Sequence, residues 1–516
     1  MGNTGSGQVV VPSLTDRLRA WLGHGERAGR PGDATALMAI VGLALVARLV
    51  VGALPIVHHE DEVWQYLEPA YGELTGLWIR TWDIRAGIRS WLMPVLLMPP
   101  VALGRALAPG SGLHVLLARE MLALASLGVV WAFYRLGLRV GRGHGFVAAF
   151  VAATWVEIVY FAPRTSSDGL ALTLLLPAFV LVSEPSDLRK RDVLAGFFCG
   201  VAVMLRLQLA PAVAFAVLGM VGWQPRRYPA LVGGVLTGFA LDAAANAVMG
   251  EPPFLWIWRN FAVNLVQGKS EMFGVAPPWW YFERLFEGWH VGAVLLVPAI
   301  VFGARRYPVL LGAALVEIAT MALIPHKEFR FITLGLCLLI LLAAIGSVDL
   351  LDLAVRRFGS PGRPVVALCT LWLALSVLVG TSPTFLEYWV LGATEAQALR
   401  QAGQVPAVCG IGIYRHPDVP LPAYTFIDRP VPVLMIDEWL AVRTDHPPML
   451  KSAYNVAIAP GVVADDLRRG GYRELSCGGS LHPADPRHYC VYVRQGGCAR
   501  APAYFDYNAG LARIDR

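Results

Sequence analysis

Long apolar runs recur along the first 380 positions, separated by short polar stretches, and disappear from 382 to 516. A bilayer-crossing helix needs about 20 apolar residues, so the pattern predicts an all-helical polytopic membrane region. The runs are 36–55, 115–134, 146–161, 169–183, 193–205, 211–223, 230–249, 290–302, 309–324, 329–345 and 364–380. A further stretch, 91–108, carries Pro94, Pro99 and Pro100. Proline is poorly tolerated at central helix positions, so that stretch is expected to be juxtamembrane or re-entrant. Beyond 382, short strand-like runs at 405–414, 431–436, 454–459 and 489–493 alternate with Gly, Pro and Asp, which predicts a small α/β unit.

Basic residues order these runs. Arginine clusters fall at 17–30, 135–142, 189–191, 226–227, 305–306 and 356–363, and Lys and Arg mark cytoplasmic loops. If all six clusters face the cytoplasm, each neighbouring pair is separated by an even number of crossings. That gives eleven spans, an inside N-terminus and an outside C-terminus. It divides the chain into a cytoplasmic tail (1–33), a membrane region (34–381) with large outer loops at 56–114 and 250–289, and an outer C-terminal unit (382–516). The polar, Gly-rich N-terminus has no short apolar core with a small-residue cleavage site, so the first run is expected to be retained.

Composition agrees. The 516 residues are 56% hydrophobic and 16% charged, against about 25% charged in soluble domains, which excludes a soluble enzyme. The net charge of +6 lies in the loop clusters and reads as a topology signal, with no nucleic-acid partner implied. Cys199, Cys337 and Cys369 fall in apolar runs, while Cys409, Cys477, Cys490 and Cys498 fall in the polar tail. Four cysteines in one polar region suggest disulfides and an oxidising compartment, with three pairings open.

Candidate chemistry concentrates in the outer loops. After the first run come His58, His59, Glu60, Asp61 and Glu62, then Gln65 and Glu68. On a helix Asp61, Gln65 and Glu68 share one polar face, while Trp64 and Leu67 turn toward lipid or protein. This is either a solvated acidic helix or a carboxylate presented where a lipid-linked substrate sits. Adjacent ligand-competent residues cannot all converge on one ion, and no spaced HExxH or CxxC accompanies them, so no metal cofactor is expected. P-loop and GxSxG motifs are absent. A second group, His326, Lys327, Glu328 and Arg330, sits at the outer end of a hairpin. Arg330 reads as an interfacial anchor or as a phosphate fork. Arg164–Asp168 and Arg206 with Gln208 form two more polar turns, and Asp242 lies in an apolar run where it must face protein or water. Trp279, Trp280 and Tyr281 read as interfacial belt residues or as platforms for a sugar ring.

His59, Asp61, Glu62, Gln65 and Glu68 in an HxDExxQxxE pattern, then Thr81, Trp82, Arg89, Ser90 and Pro94, then HKExRF at 326–331, resemble glycosyltransferase family 22. These are membrane mannosyltransferases of N-glycan and GPI-anchor assembly, with bacterial relatives. Arg164 with Thr165, Asp242, Asn264 and 274–281 extend the resemblance over most of the membrane region. Departures are Glu60, Tyr71, Asp83 with Ile84, and Phe329. The resemblance implies a C-type glycosyltransferase fold and inverting transfer, outside the cytoplasm, from a polyprenyl-phosphate sugar to a glycan or glycolipid hydroxyl. Asp61 would then be the base, with Glu62 as its alternate. His326, Lys327, Arg330 and Arg206 would hold the donor phosphate. His59, Gln65, Glu68, Arg164, Asp242, Trp279, Trp280 and Tyr281 would line the substrates. The Ala-, Gly- and Arg-rich composition suits a bacterial inner membrane. Transfer of an arabinosyl or aminosugar unit, or lipid transport, are the competing readings.

Overall fold

The computed structural model describes residues 33–184, 189–359, 364–415, 421–437, 452–478 and 489–514. The tail expected over 1–33 lies, apart from Asp33, outside the described residues, as do parts of the predicted basic loops. The described chain is mostly helical.

Five helical stretches are long and apolar enough to cross a bilayer: Asp33–Ala53, Leu113–Val140, Tyr228–Val248, Trp280–Arg306 and Phe329–Phe358. Pro364–Gly380 and Pro383–Gln404 form a sixth, bent by 70°. Leu92–Leu107, Ser167–Ser183, Leu207–Val221 and Pro308–Ala322 are shorter apolar helices. One run expected as a simple span is interrupted for an identifiable reason. The run 146–161 breaks at Trp155, whose backbone is extended. There Ser376 accepts from the Val156 amide at 2.9 Å and donates to the Thr154 carbonyl at 2.7 Å, supplying the partners that a broken helix in lipid requires. Arg206 is extended between the helices Arg189–Leu205 and Ala210–Val221, in the gap that the two short runs 193–205 and 211–223 leave between them. Conversely, Pro99 and Pro100 do not end the helix Leu92–Leu107, so the proline-rich stretch is a continuous helix packed against Leu113–Ala125.

Two features hold the bundle. Phe329–Phe358 is its central post, with nearly all of its most apolar window buried. The helices Arg189–Leu205 and Tyr228–Val248 meet through Gly196, Gly200, Gly234 and Gly238. A Cβ on Gly196 would lie 2.0 Å from the Leu231 carbonyl oxygen, and one on Gly234 would lie 2.0 Å from that of Val193. Small residues at four-residue spacing are what permits this backbone approach in lipid.

Toward the C-terminus a five-stranded sheet forms in the order β2-β1-β3-β5-β4, from Ile411–Arg415 (β1), Val433–Asp437 (β2), Val456–Pro460 (β3), Arg473–Gly478 (β4) and Tyr489–Val493 (β5). β2, β1 and β3 are parallel, while β5 pairs antiparallel with both β3 and β4. β4 is the strand that the pattern did not predict, because its side chains are mostly exposed and polar. Disulfides join Cys409 to Cys498 and Cys477 to Cys490. The apolar face of the first loop, including Val63, Leu67 and Ala70, shares one core with Leu399, Ile413, Ile458 and Val491. Leu67 therefore faces protein, and the loop bearing Asp61 rests on the C-terminal unit.

Candidate active site

The first loop re-enters helix at Asp61. Glu62–Leu67 winds as a π-helix, closed by the Glu68 amide on the Val63 carbonyl. Such a turn holds more residues than an α-turn and is common at functional sites. It keeps Gln65 beside Asp61, with Gln65 Nε2 donating to Asp61 Oδ1 at 2.5 Å. It also carries Glu68 off the face that an ordinary helix predicts.

Arg330 is the hub. It lies in the short 3-10 turn Phe329–Ile332 that opens the central post, and its guanidinium is buried. Its Nη2 donates to Asp61 Oδ2 at 2.5 Å, its Nε donates to Glu328 Oε2 at 2.5 Å, and its Nη1 stands 3.9 Å from Asp168 Oδ2. Asp168 passes the chain on to Arg206, whose Nε is 2.7 Å from Oδ1. Glu328 meets His326 Nε2 at 2.9 Å and His59 Nε2 at 3.3 Å. The Asp61 amide closes the ring by donating to His59 Nδ1 at 3.1 Å.

Charge follows geometry. Burial opposes ionisation of Asp61, but Arg330, helped by His59 and Arg89, outweighs it and holds the carboxyl below the usual range. Glu328 is likewise disfavoured by burial and then pulled well below the usual range by His326 and Arg330. Its hydrogen bond raises His326 above the ordinary imidazole value. Two pockets flank the Arg330–Asp168–Arg206 chain. One is lined by Tyr66, Arg89, Ser90, Arg206, Gln208 and Trp256. The other is lined by His58, His59, Glu62, Arg164, Asp168 and Arg330.

The structure thus gathers Asp61, His59, Gln65, His326, Arg330 and Arg206. The other sequence candidates are engaged mainly in structural contacts, although Glu62 and Arg164 also line the second of these pockets. Glu62 Oε1 accepts from the amides of His58 at 2.8 Å and His59 at 3.4 Å, so this carboxylate shapes the loop. Glu68 is fully buried and takes three backbone amides, and burial pushes its carboxyl up to about 7 against their pull. Arg164 spends its guanidinium on the carbonyls of Tyr160, Ile56 and Val51. Asp242 accepts from Ser90 and from Trp256 Nε1, tying its helix to both outer loops. Lys327 Nζ turns to the Ile324 carbonyl at 2.6 Å. Trp279 is exposed, Trp280 half-buried under Arg284, and Tyr281 buried. Asp168 and Arg89, marked in the sequence only as part of an outer polar turn and of the motif, join the site without having been given a role there. An acid and a base at the mouths of apolar runs were their signal, since neither is stable in lipid unless paired.

Residues 39–391 match the Alg9-like mannosyltransferase family. The chain belongs to that family. GPI mannosyltransferase 3 of Yarrowia lipolytica is 29% identical over 291 residues, covering 53% of this chain and 54% of that protein. Alpha-1,2-mannosyltransferase alg9 of Schizosaccharomyces pombe is 25% identical over 353 residues, covering 62% and 60%. The chain spans a little over half the length of the curated relatives it matches. Among solved structures, ArnT from Cupriavidus metallidurans bound to undecaprenyl phosphate shares the fold, with a TM-score of 0.56 at 13% identity over 90% of this chain and 99% of that one. Family and apolar helices together make this an integral membrane protein.

Proposed function

We propose that this protein is an inverting glycosyltransferase, first of all a mannosyltransferase, that moves a sugar from a polyprenyl-phosphate donor to a hydroxyl of a glycan or glycolipid acceptor. Family membership supports the reaction class. The observation that carries the mechanism is the Asp61 carboxylate held against Arg330 in the outer-loop network.

A carboxylate has about four acceptor positions, and Gln65 and Arg330 occupy one on each oxygen. That leaves an acceptor position on each oxygen for a substrate hydroxyl, and the side chain keeps 18% exposure. The hydroxyl oxygen attacks the anomeric carbon as its proton passes to the carboxylate. The bond from that carbon to the phosphate oxygen breaks, and the electron pair leaves with the polyprenyl phosphate. Arg330, Arg206 and protonated His326 meet the charge that develops there. Donor phosphate also competes with Asp61 for Arg330, and a loosened pair makes Asp61 a stronger base when a proton must be taken. A phosphate leaving group already ionised near neutral pH needs no general acid and, with three cations at hand, no metal ion.

The same reading puts the site and the C-terminal unit outside the cytoplasm, with eleven crossings and a bacterial inner membrane as location. The arginine clusters support the crossings, the tail disulfides an oxidising outer side, and the Ala-, Gly- and Arg-rich composition the bacterial location. The test is transfer of labelled sugar from polyprenyl-phosphate mannose to endogenous acceptors, in membranes carrying the wild-type chain or Asp61→Asn. Incorporation that vanishes in the variant is expected. No incorporation by well-expressed wild-type protein would overturn the mannosyl donor.

A further inference from the structure

The residue that the helical pattern groups with Asp61, but the structure turns away, is held by the C-terminal unit. Glu68 Oε1 accepts from the amides of Ile79 and Tyr424, each at 2.8 Å, and Oε2 accepts from that of Thr425 at 2.8 Å. Around it the segment 421–428 is fastened to the first loop at several further points. Trp64 Nε1 donates to the Pro422 carbonyl at 2.9 Å, and the buried His114 Nε2 meets the Thr425 carbonyl at 2.7 Å. Asp428 accepts from Tyr71 Oη at 2.9 Å and from the Gly110 amide at 2.6 Å, with Arg105 Nε at 3.5 Å. Asp428 does this with φ of 48°, a left-handed conformation that Asp tolerates and most residues avoid.

We propose that Glu68 is a positioning residue. The segment 421–428 clasps it and so fixes the rotation of the helical run that presents Gln65 and Asp61 to the substrates.

Three observations carry this. Glu68 and Asp61 belong to one continuous run, joined by the bond from the Glu68 amide to the Val63 carbonyl. The clasp is polar, buried and directional, so it fixes a rotation angle as well as a distance. A buried carboxylate is expensive to desolvate without partners, and here its partners come from the loop and from a segment 356 residues away. Packing alone would be served by an apolar side chain at position 68, whereas an acid with three amides locks one register. The C-terminal unit thereby becomes part of the catalytic apparatus without touching substrate.

The kinetic half of the test rests on the glycosyl-transfer reading, and the structural half does not. The full chain in nanodiscs is compared with Glu68→Gln, which keeps one acceptor oxygen but sets an NH2 group against an amide donor. Asp428→Asn is the second variant, made on the far side of the clasp. Backbone hydrogen exchange across 61–67, read at a pH above the value of about 7 to which burial lifts Glu68, should rise about tenfold or more in both, the value of one hydrogen bond to a charged group. The kcat for sugar transfer should fall by a similar factor while KM for the lipid donor stays within about twofold, since the donor-phosphate residues are untouched. Folded variants with wild-type exchange across 61–67, or with wild-type kcat, would overturn the clasp. A wild-type chain that transfers no sugar while its variants show the exchange response would overturn the glycosyl-transfer reading and leave the clasp standing.

Discussion

Asp61 and Arg330, 269 residues apart, meet as an ion pair of 2.5 Å at the junction of the first outer loop and the central helix. The pair joins the group proposed to take a proton to the group proposed to receive the phosphate. Asp61→Asn keeps the Gln65 contact and much of the shape while removing the base. Turnover should fall about 100- to 10,000-fold, the usual contribution of a positioned base, with expression unchanged. Activity within a few-fold of wild type in the labelled-donor assay would exclude Asp61 from the role.

Arg330 faces three carboxylates, and a lysine cannot reproduce that fork. Arg330→Lys should lower kcat/KM at least about 100-fold, with donor affinity carrying much of the loss. Arg330→Met leaves Asp61, Glu328 and Asp168 without their shared cation. Since the carboxylates keep some solvent contact, destabilisation should sit near the lower end for a broken buried pair, about 3 kcal/mol. Thermal unfolding of the purified variants separates this from a purely catalytic loss, because Arg330→Lys should unfold closer to wild type.

The His326–Glu328 pair gives a pH signature. Glu328 raises the imidazole above its ordinary 6.5, so its stabilising charge is complete below 6.5 and is lost as pH climbs through the raised value. Glu328, against the pull of burial, is depressed below 4.5 by His326 and Arg330, so its contribution is complete above 4.5 and fades only in stronger acid. Between those limits both charges are present. Donor binding should therefore weaken on the alkaline side, with a midpoint above 6.5 in the wild type. In Glu328→Gln that midpoint should move down toward 6.5. A binding profile identical in the two proteins would remove His326 from the phosphate site.

Much of this was legible in the sequence because the polar groups stand against an apolar background. His59, Asp61, Gln65, His326, Arg330 and Arg206 stood out as ionisable or polar groups clustered in outer loops and turns, most of them within the motifs that carry the family resemblance, and the structure brings them together. Glu68 and Arg164 stood out for the same reason, yet they serve the backbone, because a pattern marks where polarity is buried without showing what satisfies it. The π-turn at Glu62–Leu67 was invisible, since one residue of extra winding leaves no compositional trace. β4 escaped because an exposed edge strand carries no alternation. The proline-bearing helix Leu92–Leu107 and the break at Trp155 depend on partners elsewhere in the chain, as Ser376 shows.

The two disulfides make a prediction about compartment. Cys409–Cys498 closes a separation of 89 residues and Cys477–Cys490 one of 13. Chain entropy makes the longer closure worth more, about 4–5 kcal/mol against about 3. Thiol labelling of the native protein from intact cells should miss all four tail cysteines until a reductant is added, and peptide mapping should return these two pairs. Free thiols at the four positions would place the C-terminal unit on the reducing side and reverse the topology. Cys409→Ser with Cys498→Ser should lower the unfolding midpoint more than the Cys477–Cys490 double variant.

The glycine contact between Arg189–Leu205 and Tyr228–Val248 links packing to the site, because the first of these helices ends at Arg206. Gly234→Val would drive a branched side chain into the Val193 carbonyl, where even a Cβ lies at 2.0 Å. Overpacking of this kind is worth about 1–3 kcal/mol, and the helices can relieve it only by moving apart. That displaces Arg206 from Asp168. The expected result is a lower unfolding midpoint together with weaker donor binding. The neighbouring Gly233 has open space around its Cβ position, so Gly233→Ala should be neutral or stabilise slightly, by up to about 1 kcal/mol. If both variants lose donor affinity equally, the crossing is not the cause, and the route from this contact to Arg206 is wrong.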